Sequence, residues 1–295
     1  MRKLFACLGA ALLAAIVAAG AQAFPLIIGS KEFTEQRLLG EITAQYLAHL
    51  GYEVERSPRM DSTSLRKAQE KGQVDLYWEY TGTALLIYNK VDAKLSSPDA
   101  VYQKVKALDA QKALVWLEPS RANNTYALAM RRADTEAYSI TTLSELARAL
   151  NGGRKLTLAT NGEWYARDDG LKALQKAYDF KIEPSRIMRL STGLTQVALN
   201  EGLIDIALVF ATDGRNKAFD LVLLKDDKGF FPAYQLAPVV HKEALAANPR
   251  LAKQLSALTR HLDNETLSTL NALVDVDRIS EEEVAKNFLL NSGLM

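Results

Sequence analysis

Two stretches of the chain repeat one pattern of residue types at one spacing: Ala68-x3-Gly72-x2-Asp75-x4-Tyr80 and Ala198-x3-Gly202-x2-Asp205-x4-Phe210. Each reads as a helix that ends at a glycine suited to a left-handed cap, followed by a strand that delivers an aromatic residue at its carboxyl end. A chain that builds this unit twice is directed toward two similar α/β lobes. Ligands in open α/β sheets bind outside the carboxyl ends of the strands, so the Tyr80 and Phe210 rings are expected to face a crevice between the lobes. From the echo alone, burial of each ring in its own lobe's core explains the pattern equally well.

Around the echoes, short apolar runs alternate with helical periodicities, the signature of sheets covered by helices. Leu26 to Ser30 reads as a strand, followed by a helix whose Leu38, Leu39, Ile42, Tyr46, Leu47 and Leu50 fall at three- and four-residue spacing. Next come a strand near Tyr52 to Arg56, a helix from about Ser62 to Glu70 and a strand from Val74 to Tyr80. A second series runs through Leu156 to Thr160, a helix near Leu171 to Ala177, a helix from Leu194 to Asn200 and a strand from Ile204 to Phe210. After Tyr234 the chain reads as mainly helical. Asn123 to Met130 and Phe231 to Val240 read as strands entered from polar or proline-bearing corners, placed between the two series. Taken as lobe crossings, they predict lobe 1 from residues 24–126 plus 234–295 and lobe 2 from 127–233, with a hinge between them. The expected fold is an α/β clamshell with a mostly parallel sheet in each lobe.

Residues 1–23 read as a secretion signal: Arg2 and Lys3 form the positive start, Leu8 to Ala19 the apolar core, and Ala21-Gln22-Ala23 a small-x-small cleavage site. Cleavage near Ala23 and a periplasmic location are expected. Cys7, the one cysteine, would be discarded with the signal, leaving no disulfide, thiolate metal site or cysteine nucleophile. Removing Arg2 and Lys3 from 36 basic residues leaves 34 against 35 acidic ones, so no basic excess favours nucleic acid. A Gly-x-Ser-x-Gly elbow, phosphate-binding glycine loop, dinucleotide fingerprint and His-Glu-x-x-His motif are all missing from the sequence. His49, His241 and His261 are scattered. A binding protein without cofactor or metal is therefore expected in place of an enzyme.

Several segments, in order along nearly the whole mature chain, resemble the glycine betaine, choline and carnitine receptors of osmoprotectant ABC importers. They are Gly29-Ser30-Lys31-Glu32-Phe33-Thr34-Glu35-Gln36, Glu79-Tyr80-Thr81-Gly82-Thr83-Ala84-Leu85, Thr212-Asp213-Gly214-Arg215, Asp226-Asp227-Lys228, and Phe231-Pro232-Ala233-Tyr234 with Ala237-Pro238-Val239-Val240. Ala122-Asn123-Asn124-Thr125 further resembles the branch called periplasmic osmoprotectant-binding protein. The resemblance implies the type II periplasmic-binding-protein fold, a small quaternary-ammonium ligand, a cognate ABC permease in the inner membrane as partner, and action as a monomer.

It also implies a site. A quaternary ammonium offers no conventional N–H donor, so its capture calls for ring faces around the methyl groups. Similarity to the family places such rings at Tyr80, Tyr126, Phe210 and Tyr234. For a betaine carboxylate it places donors at Lys31, Thr83 and Arg167; Asn124 and Glu163 are further candidates near the same segments. Phe210 departs from the tyrosine many members carry there, and Met60-Asp61-Ser62-Thr63 replaces a Leu-Gly-Gly-Thr-like loop. The clamshell fold also serves receptors for polar amino acids and other cationic metabolites, which remain the alternative ligand class.

Overall fold

A computed structural model describes residues 25–91, 97–191 and 193–295 of the protein, so the secretion-signal reading lies outside the described residues. In chain order the first elements are β1 (Leu26–Ile28), α1 (Thr34–His49), β2 (Val54–Arg56), α2 (Ser62–Glu70), β3 (Leu76–Tyr80), α3 (Pro98–Ala110) and β4 (Leu114–Trp116). There follow β5 (Tyr126–Arg131), α4 (Arg132–Tyr138), α5 (Leu143–Asn151), β6 (Leu158–Thr160), α6 (Gly162–Ala166), α7 (Leu171–Tyr178), β7 (Ile187–Arg189), α8 (Leu194–Asn200) and β8 (Ile206–Phe210). The last are α9 (Arg215–Ala218), β9 (Leu221–Leu223), β10 (Leu236–His241), α10 (Lys242–Ala247), α11 (Leu251–Thr259), α12 (Asn264–Asp275) and α13 (Glu281–Asn291).

The strands form two five-stranded sheets, ordered β2-β1-β3-β10-β4 and β7-β6-β8-β5-β9. In the first, β1 runs parallel to β2 and β3, while β10 runs antiparallel to both β3 and β4. Four strands therefore share one direction and β10 opposes them. The second sheet repeats this, with β5 as the opposed strand. Each opposed strand is the first one reached after a crossing from the other sheet, so the reversals and the crossings have one cause. Tyr126, placed at the end of lobe 1 by the sequence reading, is the first residue of β5 and pairs with Phe210.

The echo has a structural meaning. A shift of 130 residues carries Ile27 and Asp75 onto Thr157 and Asp205. In both pairs the aspartate accepts the partner's backbone N–H at 2.8 Å, tying the corner before one strand to the adjacent parallel strand. Such a bond to a part-exposed carboxylate is worth about 1.5 kcal/mol. Gly72 and Gly202 precede these corners with φ of +69° and +73°, where a side chain would be strained. The corners explain why β3 and β8 start at Leu76 and Ile206, each two residues later than the apolar runs predict.

Each sheet is covered on both faces. All five residues of β3 are buried, with Trp78 packed among the α1 residues Leu38, Leu39 and Ile42 and its indole N–H donating to Thr43 at 2.8 Å. The two crossings run side by side between the sheets, joined by an Asn123–Gln235 bridge and by the Asn124 N–H donating to the Tyr234 carbonyl at 3.1 Å. Among the described residues no helix is long and apolar enough to cross a membrane.

Candidate functional site

The carboxyl ends of β3 and β8 and the two crossings meet at a cavity of about 570 Å3. Tyr80 and Phe210 close β3 and β8, Tyr126 opens β5, and Tyr234 lies two residues before β10. These four rings line the cavity together with Lys31, Thr83, Asn124 and Glu163. The Tyr126 ring lies 4.9 Å from Phe210 and 5.3 Å from Tyr234, the latter edge-on. The helical turn at Thr81–Thr83 seats the Tyr234 ring closely. A Cβ on Gly82 would meet two Tyr234 ring carbons at 2.7 Å and the Ala233 carbonyl at 3.0 Å, so only glycine fits.

Arg167 does not line this cavity. It lines a second hollow, which Tyr126 and Tyr234 also border. Its guanidinium pairs with Asp169 at 2.6 Å and sits 5.5 Å from the Tyr126 ring centroid, 3.4 Å from that hydroxyl. Burial is the largest influence and would lower the Arg167 pKa, but the hydrogen bonds to Asp169 together with the charge interactions with Tyr126, Tyr234 and Asp169 outweigh it and hold the pKa above its ordinary value. Glu163 is about half exposed, with a carboxylate 3.6 Å from Arg167. Lys31 is buried, its ammonium 2.6 Å from Glu79 and 5.2 Å from the Tyr80 ring centroid. Asn124 donates to Glu35 at 2.9 Å and accepts the Thr212 N–H at 3.3 Å.

Residues that sequence reasoning did not single out complete the site. Phe33, at the start of α1, stacks on Phe210 at 5.5 Å and on Tyr80 at 6.2 Å, so one ring touches both echoed aromatics. Glu35, in the first turn of α1, is buried and accepts four hydrogen bonds. The donors are the Tyr80 hydroxyl at 2.7 Å, Asn124 at 2.9 Å, Asn271 at 3.0 Å and the Thr212 hydroxyl. Burial raises the Glu35 carboxyl above its ordinary pKa, while its hydrogen-bond donors pull the other way. Burial also drives the Tyr80 phenol well above its ordinary value, and the neighbouring Glu35 charge adds to this, so Tyr80 remains a donor. Both Phe33 and Glu35 belong to the Gly29–Gln36 segment that carried the family resemblance, which was the signal available for finding them.

The loop Thr212–Arg215, after β8, is clasped by α12. Arg215 pairs with Asp275 at 2.6 Å, and Asn271 donates to the Thr212 carbonyl at 3.0 Å. Ring faces and neutral donors gathered between two sheets equip the cavity to enclose a small molecule.

Fold and site together define the substrate-binding component of a transport system. Residues 25–291 match the family described as the substrate binding domain of ABC-type glycine betaine transport systems, and the chain belongs to that family. It is 42% identical over 289 residues to a glycine-betaine-binding protein of Pseudomonas aeruginosa, covering 96% of this chain and 93% of that protein. It is 34% identical over 279 residues to the glycine betaine-binding protein YehZ of Escherichia coli K12, covering 92% of each. The solved structure of apo YehZ superposes with a TM-score of 0.70 at 33% identity, over 92% of this chain and all of that one. Substrate-binding proteins of ABC importers work outside the cytoplasm with a membrane permease, and the two-lobed α/β fold expected from the sequence is the fold found.

Proposed function

We propose that this protein captures a small quaternary-ammonium osmoprotectant, glycine betaine or choline, in the cavity between its lobes and passes it unchanged to a cognate ABC permease. One observation carries the reading: aromatic rings from both sheets and both crossings converge on a single cavity. Ring faces attract a methylated ammonium by about 0.5–2 kcal/mol each. Four of them contribute several kcal/mol of the roughly 8 kcal/mol that micromolar binding requires. Buried methyl area and polar contacts supply the remainder. Lys31, Thr83 and Arg167 are the proposed partners of a betaine carboxylate, Lys31 while shared with Glu79 and Arg167 after leaving Asp169. The names of the Pseudomonas and Escherichia relatives agree with this ligand class.

In the same reading the protein is secreted, cleaved near Ala23 and acts as a periplasmic monomer. Its lobes, residues 24–126 with 234–295 and residues 127–233, close on the ligand about the two crossings. A fluorescence-monitored panel of glycine betaine, choline, carnitine, proline betaine and amino acids tests the ligand class. Trp164, buried 6.2 Å from the Tyr126 ring, is the natural reporter. Saturable responses to quaternary ammonium compounds are expected; a response confined to amino acids would overturn the proposal.

A further inference from the structure

We propose that Glu35 is the positioning residue of this site: its buried negative charge, acting through the Tyr80 hydroxyl, is balanced by the cation of the ligand. This rests on the quaternary-ammonium reading above. Glu35 is 3% exposed, and its four hydrogen-bond partners are all neutral. A buried carboxylate without a cationic partner is costly, and hydrogen bonds offset only part of that cost.

The cationic side chains in the cavity wall are engaged elsewhere. Lys31 pairs with Glu79, Arg37 with Glu281, and Arg215 with Asp213 and Asp275, while Arg189 lies over the Tyr165 ring. Among the described residues six carboxylates line the cavity against these four cations, so that wall favours a positive guest. The link to the ring is direct, because a phenol that donates to a carboxylate gains electron density and attracts a cation more strongly. Glu35 also receives the Thr212 hydroxyl from the loop after β8, so one carboxylate orients a cage ring and holds the opposite lobe against it.

The test compares each ligand with its tert-butyl analogue, in which carbon replaces the ammonium nitrogen and the shape is kept. Calorimetry on the full mature chain gives the affinity ratio of ligand to analogue, using choline or glycine betaine according to which the wild type binds more tightly. Glu35→Gln is expected to lower that ratio by about tenfold. A merely structural role for Glu35 would weaken ligand and analogue alike and leave the ratio unchanged, which overturns the proposal. Should Glu35→Gln fail to fold, Tyr80→Phe keeps the ring and removes its bond to Glu35. A ratio about threefold lower is then expected, and an unchanged ratio overturns the proposal. A wild type that binds neither cation overturns the parent reading and this one together, whereas an unchanged ratio in a cation-binding wild type overturns this one alone.

Discussion

Gly214→Ala tests the clasp between the lobes. The residue has φ of −64°, so its backbone does not demand glycine. Its surroundings do, since a Cβ there would lie 2.5 Å from the Ala272 Cβ and 2.6 Å from the Ala272 Cα and backbone nitrogen. Carbon atoms pack at about 3.5–4.0 Å, and backbone cannot swing aside, so the loop and α12 must part by about 1 Å. That movement stretches the 3.0 Å bond from Asn271 to the Thr212 carbonyl, and the bond from the Thr212 hydroxyl to Glu35, past hydrogen-bonding range. It also loosens the Arg215–Asp275 pair. Two lost bonds at about 1 kcal/mol each, with the overpacking, give roughly 2–4 kcal/mol. The expected fall in melting temperature is about 5–10 °C for a chain of this size, read by circular dichroism without ligand. Ligand affinity should fall as well, because the cavity walls separate. Gly162→Ala is the control: no heavy atom lies within 4 Å of its added Cβ, and its stability should stay within about 1 kcal/mol of wild type. A Gly214→Ala protein with the melting temperature and affinity of wild type would refute the clasp.

Tyr80→Ala and Tyr234→Ala are each expected to weaken quaternary-ammonium binding by about tenfold or more in calorimetry while the fold persists, since about 1.4 kcal/mol is tenfold. Leucine at the same positions separates the ring face from mere area, and unchanged affinity in both alanine variants would remove these rings from the site. Arg167→Ala is expected to cost glycine betaine more than choline, because only betaine carries a carboxylate. Equal losses for both ligands would assign Arg167 to bracing Tyr126, beside which its guanidinium rests.

The parts of the fold legible in sequence were those fixed by local pattern. Helices α2 and α8 begin and end where the periodicity places them, at Ser62–Glu70 and Leu194–Asn200. The glycine corners of the echo turn where a left-handed residue is needed. The strands β4, β7 and β9 escaped; like β1, β2 and β6 they are only three residues long and show no period of two, and no helix-strand series in the sequence marked their places. At the site, ring positions could be read from segment resemblance, but partners set by tertiary approach could not. Glu35 looks in sequence like an ordinary acidic residue in a first helical turn, and only packing against Tyr80, Thr212 and Asn271 makes it a buried hub. Arg167 carries the charge a carboxylate needs, yet its partner Asp169 lies two residues away and claims it.

The internal repeat also bears on how a two-lobed cavity can recognise an unsymmetrical guest. The 130-residue shift that superposes the aspartate corners also carries Lys31 onto Asn161, Phe33 onto Glu163, Met60 onto Leu190 and Tyr80 onto Phe210. All eight residues line the one cavity. The correspondence extends to the backbone: the Met60 N–H donates to the Ser30 carbonyl at 3.2 Å, and the Leu190 N–H to the Thr160 carbonyl at 3.0 Å. Two lobes of one design therefore offer equivalent positions to the space between them, and strict repetition would give that space two equal walls. A quaternary ammonium linked to a carboxylate or hydroxyl has two unlike ends. The substitutions at the paired positions break the equality, setting a buried ammonium against an amide, a phenyl ring against a half-exposed carboxylate, and a hydrogen-bonded phenol against a phenyl ring. Orientation of the proposed ligand would then follow from this divergence between lobes, with shared geometry building the cavity and unlike side chains giving it direction.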